Sequence, residues 1–378
     1  MAVKKQSPEY YMDLAIKQAL KGRYYTSPNP CVGAVIVKNN QIIAKSYHKQ
    51  YGQAHAERNA IDDALKKGYK LKGADIYVTL EPCNHHGNQP PCSDALISAG
   101  IKRVFYAMRD PNPTAFGGVQ KLKKAGIKCV GDILNEQAQA LNQPFITNIV
   151  KKRPYIIAKW AMGLDGHIAT KTGNSAWISS SESRKIVHNM RAIVDGILIG
   201  SGTAKKDKPS LTVRDAKGNN PLRIILDSQL TLPKNAKVLN DNLAKTLVFC
   251  SVSGFKNVKK YSSSSNVEFI SVATKAGKLS LDAVLSCLYK RNINSILIEG
   301  GSEVHGSFFD ANLVDEVFTF VAPVLMGGSS AVSAVAGKGV RSVQEGLRLQ
   351  NMQFWQIDDD ILLRGTNGSH PLWSALDF

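Results

Sequence analysis

One histidine, one glutamate and two cysteines occur in an order and spacing that could hold a catalytic metal ion. His55 and Glu57 lie in an Ala-His-Ala-Glu segment, and Cys83 and Cys92 each follow a proline. A catalytic zinc ion commonly takes three protein ligands and keeps a fourth position open, and one imidazole with two thiolates fits that pattern. We therefore predict that His55, Cys83 and Cys92 bind one zinc ion.

Glu57 is expected to move protons rather than to bind the metal. It lies two residues after His55, where a carboxylate can sit beside the open position and act as general acid and base. Zinc lowers the pKa of bound water from about 16 to about 7, which supplies a nucleophile at neutral pH. Attack on an amidine-like carbon, followed by protonation of the leaving nitrogen, is hydrolytic deamination. The set predicts a zinc-dependent nucleobase deaminase with Glu57 as its catalytic residue.

Apolar spacing predicts the elements that position these residues. Ala56, Ala60 and Ala64 recur at helical spacing before Gly68, and a second helical run extends from Cys92 to Gly100. Both runs would place metal ligands at helix N-termini, which favour negative charge on the thiolates. The other cysteines, Cys31, Cys129, Cys250 and Cys287, are expected to be structural.

The segment between the two cysteines indicates which group of zinc deaminases the chain resembles. Eight residues separate Cys83 from Cys92, and they include His85-His86-Gly87, whereas cytidine and tRNA-adenosine deaminases usually have two. With Pro28-Asn29-Pro30 and His48, this segment resembles the bifunctional deaminase/reductase family of riboflavin biosynthesis. The resemblance implies an N-terminal cytidine-deaminase-like three-layer α/β/α domain. It also implies Asn29, His48 and His86 as substrate contacts, with the alternative that His48 is a satisfied structural histidine.

A chain of 378 residues exceeds the usual size of a single core. Short apolar strands alternate with helical stretches after a polar, basic segment near residue 150, which argues for a second α/β domain. We expect a deaminase domain at residues 1–148, a second domain at 149–366 and a tail at 367–378.

Two glycine turns in the second domain could bind phosphate, Gly200-Ser201-Gly202 and Gly300-Gly301-Ser302, although a tight turn is the commoner explanation for each of them when read alone. The order of segments from Lys159 to Glu299 resembles the reductase half of the same family, which is similar to dihydrofolate reductase. The resemblance implies NADPH as hydride donor to C1′ of the ribosyl group. The cofactor contacts that it implies are Ala161, Trp177, Thr203, Asp207, Ser228, Gly301, Ser302, Glu303, Val304, His305, Gly306 and Ser307. The implied substrate contacts are Ser175, Arg191, Leu211, Arg214 and Glu299.

Two other function classes remain open at this point. The formal net charge of +18 and a pI near 9.5 would suit a nucleic-acid binder, and a zinc deaminase acting on tRNA or another polynucleotide is the runner-up. No basic tail or long Lys/Arg block accompanies the charge, so we expect a small pyrimidine ribonucleotide substrate and no nucleic acid. The third class is a nucleotide-binding protein with a structural zinc, which needs His85 or His86 as a fourth ligand.

The chain has no apolar segment of signal-peptide or membrane-spanning length. We expect a cytoplasmic protein without membrane contact and without disulfides, because zinc thiolates need reducing surroundings. The family resemblance further implies a homo-oligomer, either a dimer or a tetramer.

Overall fold

The computed structural model describes residues 6–85, 90–214, 216–261 and 264–368. Among these residues the chain divides into two compact units between Lys151 and Lys152. The expected boundary at residues 148 and 149 lies inside the helix Gln143–Lys151. Most of the expected tail, residues 367–378, lies outside the described part of the chain. No helix of the described residues is long and apolar enough to cross a membrane.

The first unit contains a five-stranded sheet in the order β2-β1-β3-β4-β5. Its strands are β1 Gly33–Lys38, β2 Gln41–Tyr47, β3 Asp75–Leu80, β4 Arg103–Met108 and β5 Lys128–Val130. Its helices are α1 Pro8–Ala19, α2 Ala56–Lys66, α3 Cys92–Ser98, α4 Gly118–Lys124, α5 Asn135–Leu141 and α6 Gln143–Lys151, with a 3-10 turn at Leu20–Gly22. β1 runs antiparallel to β2 and β3, and β3, β4 and β5 are parallel.

The sequence accounts for the elements that position the first site. His55 is extended and immediately precedes α2, so that Glu57 falls in the first turn. Ala56, Ala60 and Ala64 are buried along the inner side of α2, as their helical spacing predicts. Because β3 and β4 are parallel neighbours, the loops that follow their carboxyl ends lie at one edge of the sheet. That edge receives Cys83 from the first loop.

The second unit is built on a nine-stranded sheet in the order β11-β10-β9-β8-β14-β6-β15-β18-β17. The strands of this unit, including four that lie outside the large sheet, are β6 Tyr155–Gly163, β7 His167–Ala169, β8 Gly196–Gly200, β9 Leu222–Leu226, β10 Thr246–Ser251, β11 Val267–Val272, β12 Thr274–Lys275, β13 Lys278–Leu279, β14 Ser295–Ile298, β15 Glu316–Ala322, β16 Val332–Ser333, β17 Gln350–Ile357 and β18 Asp360–Thr366. Its helices are α7 Ser181–Ile193, α8 Ser201–Asp207, α9 Lys237–Asn240, α10 Leu281–Tyr289 and α11 Ser302–Asp310, with 3-10 turns at Gly254–Lys260 and Val343–Glu345.

The first seven strands in the sheet order, which begin with β11 and end with β15, are parallel to one another. β18 is antiparallel to β15, and β17 is antiparallel to β18. The two central strands β8 and β14 are apolar apart from Ser295 and are almost wholly buried, which is typical of a parallel sheet covered on both faces. The predicted α/β class is therefore confirmed for both units. The carboxyl ends of β6, β8 and β14 lie side by side, where open α/β sheets usually bind ligands.

Candidate active sites

The three predicted metal ligands come together in the first unit. The ligand atoms of His55, Cys83 and Cys92 all lie within 4.8 Å of one another. His55 Nδ1 is 3.3 Å from Cys92 Sγ and 3.7 Å from Cys83 Sγ, and the Cys92 N–H donates a hydrogen bond of 3.4 Å to Cys83 Sγ. Across the described ranges, this is the cluster of His, Cys, Asp and Glu side chains close enough to hold one ion. One imidazole and two thiols form a donor set that suits zinc.

The surroundings of Cys83 favour the thiolate, which is the form that binds metal. Hydrogen bonds from Cys92 and, more weakly, from His55 lower the pKa of the Cys83 thiol, although its burial acts in the opposite direction. The hydrogen bond to Cys83 and burial raise the pKa of the Cys92 thiol well above its ordinary value. In this arrangement the Cys92 thiol is thus the donor and Cys83 the thiolate of the pair.

Glu57 lies beside this cluster and is only 3% exposed. Burial raises its pKa to about 7, and the negative charge of Cys83 adds to the effect. A carboxyl group with a pKa close to neutrality can both accept and release a proton at the working pH. This property is what a residue that shuttles protons beside a metal site requires.

A cavity of about 300 Å³ opens onto the cluster and is lined by Glu57, His55 and Cys83. Asn29 and His48 line it too, as the resemblance implied. His48 Nε2 is 3.1 Å from Asn29 Nδ2 and Nδ1 is 3.1 Å from the Ala54 carbonyl. Since the amide NH₂ must donate to Nε2, the imidazole is neutral and donates through Nδ1. His48 thereby fixes the position of Asn29 in the cavity wall.

Of the two histidines between Cys83 and Cys92, the structure describes only His85. His85 lines the cavity but does not belong to the metal-ligand cluster found among the described residues. His86 lies outside the described residues. The arrangement therefore provides three protein ligands from the described part of the chain, which is the number typical of a catalytic zinc site.

Asp110 is a cavity residue that the sequence analysis did not select. It follows β4, lines the cavity and accepts a hydrogen bond of 2.9 Å from the Asn112 N–H. Burial raises its pKa to about 6. In the sequence, Asp110 is marked only by its place in an Asp-Pro-Asn-Pro segment after a strand. Residue spacing did not show that this strand pairs in parallel with β3, which brings Asp110 to the same sheet edge.

The second unit has a cavity of about 780 Å³ at the carboxyl ends of β6, β8 and β14. The predicted cofactor contacts that line it are Ala161, Trp177, Thr203, Asp207, Ser228, Gly301, Glu303, Val304, His305 and Ser307. Ser302 and Gly306 belong to α11 but are not among its lining residues. The predicted substrate contacts that line it are Ser175, Arg191, Arg214 and Glu299. Leu211 is buried away from the lining, with a positive φ of 53°.

Charged side chains dominate the inner end of this cavity. Arg191 donates to both carboxylate oxygens of Glu299, at 2.6 and 2.8 Å. Burial acts to raise the pKa of Glu299, but Arg191 outweighs it and the pKa falls to about 2. Lys159, whose Nζ lies 5.7 Å from the Phe320 ring centroid, also acts to lower the pKa of Glu299, and the exposed Arg214 lines the same cavity. The lining contains six Lys or Arg residues and three Asp or Glu residues, and this excess of positive charge suits a phosphorylated ligand.

The glycine turn at Gly301 is shaped for a close approach by an anion. Gly301 caps α11 with a φ of 71°, a conformation that favours glycine. Gly301, Glu303 and Val304 line the cavity, so that the N-terminal turn of α11 borders it. Helix N-termini of this kind bind phosphate groups.

Comparison with known proteins matches each unit to a family. Residues 5–108 match the cytidine and deoxycytidylate deaminase zinc-binding region, and residues 154–363 match the RibD C-terminal domain. The riboflavin biosynthesis protein RibD of Bacillus amyloliquefaciens is 43% identical over 94% of this chain and 95% of its own length. RibD of Aquifex aeolicus is 41% identical over 93% of this chain and 96% of its own length.

A solved structure agrees with these relatives. The diaminohydroxyphosphoribosylaminopyrimidine deaminase/5-amino-6-(5-phosphoribosylamino)uracil reductase of Thermotoga maritima superposes with a TM-score of 0.85 at 38% identity, covering 96% of this chain and 99% of its own. The expected pairing of a cytidine-deaminase-like domain with a reductase domain is confirmed, and the polynucleotide deaminase is not favoured. The chain belongs to the RibD family, the bifunctional deaminases and reductases of riboflavin biosynthesis.

Proposed function

We propose that the first unit deaminates 2,5-diamino-6-ribosylamino-4(3H)-pyrimidinone 5′-phosphate and that the second unit reduces the product with NADPH. The observation that carries the proposal is the presence of two separate sites: a buried Glu57 beside His55, Cys83 and Cys92, and a cationic cavity around Glu299. The substrates follow from the activity named for the Thermotoga maritima protein and from the phosphate-binding character of the second cavity.

In the deaminase site, zinc held by His55, Cys83 and Cys92 would supply a water molecule of lowered pKa. Glu57 would take the two protons of that water in turn, passing one to the ring nitrogen beside the attacked carbon and one to the departing amino group, so that the carbon gains a carbonyl oxygen as ammonia leaves. Its raised pKa lets it carry out both transfers near neutral pH. Asn29, oriented by His48, is placed to hold the pyrimidine, and His86 is proposed as a further contact.

In the reductase site, the nicotinamide supplies the hydride, and the protein binds, orients and excludes water. Net reduction breaks the C1′–O4′ bond of the ribosylamine: C1′ receives the hydride and O4′ receives a proton. We assign Arg191, Arg214, Ser175 and Glu299 to the substrate, since all four line the cavity. The turn at Gly301 and the first turn of α11, with Thr203 and Ser228, are assigned to NADPH.

Further features of the proposal concern stoichiometry, assembly and location. We propose one zinc ion per deaminase domain, NADPH rather than NADH as the donor, and a homodimer or homotetramer. A cytoplasmic location agrees with six free cysteines and with thiolate ligands that need reducing surroundings.

The test is an assay of purified, zinc-loaded protein with the diaminopyrimidinone ribonucleotide and NADPH, in which ammonia and NADPH are followed together. The proposal predicts one NADPH oxidised per ammonia released, with ammonia appearing first. NADPH oxidation without prior ammonia release would contradict the proposed order. Release of ammonia from tRNA but not from the ribonucleotide would favour the polynucleotide deaminase instead.

A further inference from the structure

The segment at residues 211–214 carries a proposed substrate contact, Arg214, yet belongs to no helix or strand. Its first residue, Leu211, is buried with a φ of 53°, a conformation that a branched side chain adopts only where its surroundings enforce it. The backbone of such a segment must be held by contacts from neighbouring elements. Helix α7 provides two of these contacts, and a third runs from the Val213 N–H to Asn220 Oδ1 at 2.8 Å.

Two side chains of α7, one turn apart, hold this segment. The Arg214 N–H donates to His188 Nδ1 at 3.2 Å, and Arg191 Nη1 donates to the Thr212 carbonyl at 3.2 Å. His188 is 8% exposed and lines the reductase cavity. Residues three apart on a helix share one face, so that His188 and Arg191 act on the same stretch of backbone.

We propose that His188 is a positioning residue of the reductase, which fixes Arg214 for binding of the substrate phosphate by accepting the Arg214 N–H at Nδ1. The inference rests on the proposed function, because it assigns Arg214 to a phosphorylated substrate. His188 itself does not touch the reacting atoms in this account.

The hydrogen-bond pattern fixes the tautomer of His188. Because Nδ1 accepts from the backbone, a neutral ring carries its hydrogen on Nε2. The Arg214 Nη2 lies 3.4 Å from that Nε2, where two donors face each other and no hydrogen bond forms. The guanidinium is therefore left with donors for a ligand, and in the described part of the chain no carboxylate forms an ion pair with it.

The surroundings also keep the ring neutral. Burial lowers the pKa of His188, and the charges of Arg191 and Arg214 lower it further, while Glu299 and the Thr212 backbone act in the opposite direction without reversing the shift. A neutral ring is required, since a protonated Nδ1 could not accept the backbone N–H. The geometry and the charge balance thus point to the same role.

Three variants separate this role from direct ligand binding. In His188→Asn the amide oxygen can take the place of Nδ1, whereas in His188→Gln the amide reaches the place of Nε2, and His188→Leu removes both. The assay is steady-state reduction of 5-amino-6-ribosylaminouracil 5′-phosphate by NADPH. Because His188 lies in the second unit, circular dichroism and thermal unfolding of the same preparations report whether that unit is folded, and ammonia release reports only on the first unit.

We expect His188→Gln and His188→Leu to raise KM for the ribonucleotide about tenfold, with kcat and KM for NADPH within about twofold, because lost binding of a remote phosphate affects substrate and transition state equally. His188→Asn should restore KM to within about threefold of the wild type. Rescue by Gln but not by Asn would overturn the inference, since it would place a ligand at Nε2. A fall in kcat at unchanged KM would overturn it as well. A wild-type enzyme that does not reduce the ribonucleotide would instead refute the proposed function.

Discussion

Arg191 and Glu299 form a two-point ion pair, with hydrogen bonds of 2.6 and 2.8 Å, across the inner end of the reductase cavity. The side chains are 13% and 8% exposed, so that neither charge is well solvated. Glu299 follows β14 and Arg191 lies on α7, which means that the pair joins the central sheet to the helix that also carries His188. The stability of this unit and its proposed substrate binding therefore depend on the same contact.

Glu299→Gln should destabilise the second unit by about 3–5 kcal/mol, because it leaves the buried Arg191 without its counter-charge. Thermal unfolding and NADPH oxidation measure the two consequences, and ammonia release should not change. Glu182→Gln is the matched control, since it breaks an exposed pair with Lys185 whose side chains are 52% and 56% exposed and should cost less than about 1 kcal/mol. Equal effects of the two substitutions would contradict this assignment.

The same pair predicts how stability depends on pH. Arg191 holds the folded-state pKa of Glu299 at about 2, below the ordinary value of 4.5, despite the opposing effect of burial. A carboxylate with a depressed pKa stabilises the fold above its unfolded pKa, and this contribution is lost as the pH falls through the folded pKa. The difference in unfolding free energy between wild type and Glu299→Gln should be constant above about pH 5.5 and shrink between 4.5 and 2. Urea unfolding at several pH values measures it, and a difference that grows on acidification would be inconsistent with the ion pair.

Removal of the metal should separate the two activities. Treatment with a chelator, or Cys83→Ala, should abolish ammonia release and reduce zinc content from one equivalent to near zero, because the site has three protein ligands and the loss of one opens it. Reduction of the pre-deaminated substrate should continue, since its cavity contains none of the three ligands. Metal analysis and the two assays provide the readouts, and retention of deamination in the zinc-free protein would exclude the predicted role of the cluster.

Gly118→Ala should damage the deaminase unit through backbone packing. A Cβ at Gly118 would lie 1.7 Å from the Pro82 carbonyl oxygen, next to the ligand Cys83, so that the loop carrying the thiolate would have to move. We expect reduced zinc affinity and a loss of stability of about 1–3 kcal/mol. Gly202→Ala, where a Cβ meets nothing within 4 Å, serves as the tolerated counterpart in a stability measurement. Unaltered zinc affinity in Gly118→Ala would show that the loop adapts.

The sequence was sufficient where chemistry is encoded by local spacing. His55 and Glu57 are two residues apart on one helix end, and Cys92 begins the next predicted helix, so that their arrangement follows from helical periodicity and the proline-cysteine pairs. The alternation of apolar strands and helices similarly predicted the α/β class. The family resemblance could be recognised from the sequence because the insertion between Cys83 and Cys92 is itself a local feature.

Contacts created by the tertiary fold had no such signal. His188 reaches Arg214 only because α7 packs beside a segment with no regular structure. Nothing in the helical pattern distinguishes His188 from any other buried histidine. Asp110 reaches the deaminase cavity through the parallel pairing of β3 with β4. Ser302, Gly306 and Leu211 were predicted from the order of motifs, and they are not among the residues that line the cavity.

The most direct test of two independent active sites compares Glu57→Gln with Glu299→Gln in assays of each half-reaction. Glu57→Gln should lower the rate of ammonia release about 10²–10⁴-fold and leave reduction of the pre-deaminated ribonucleotide within twofold. Glu299→Gln should lower the rate of that reduction and leave ammonia release within twofold. Asp62→Asn, on the same helix in an exposed pair with Arg58, controls for the loss of charge on α2. If Glu57→Gln still releases ammonia at the wild-type rate, or if either variant abolishes both half-reactions in folded protein, the assignment of separate chemistry to the two units is wrong.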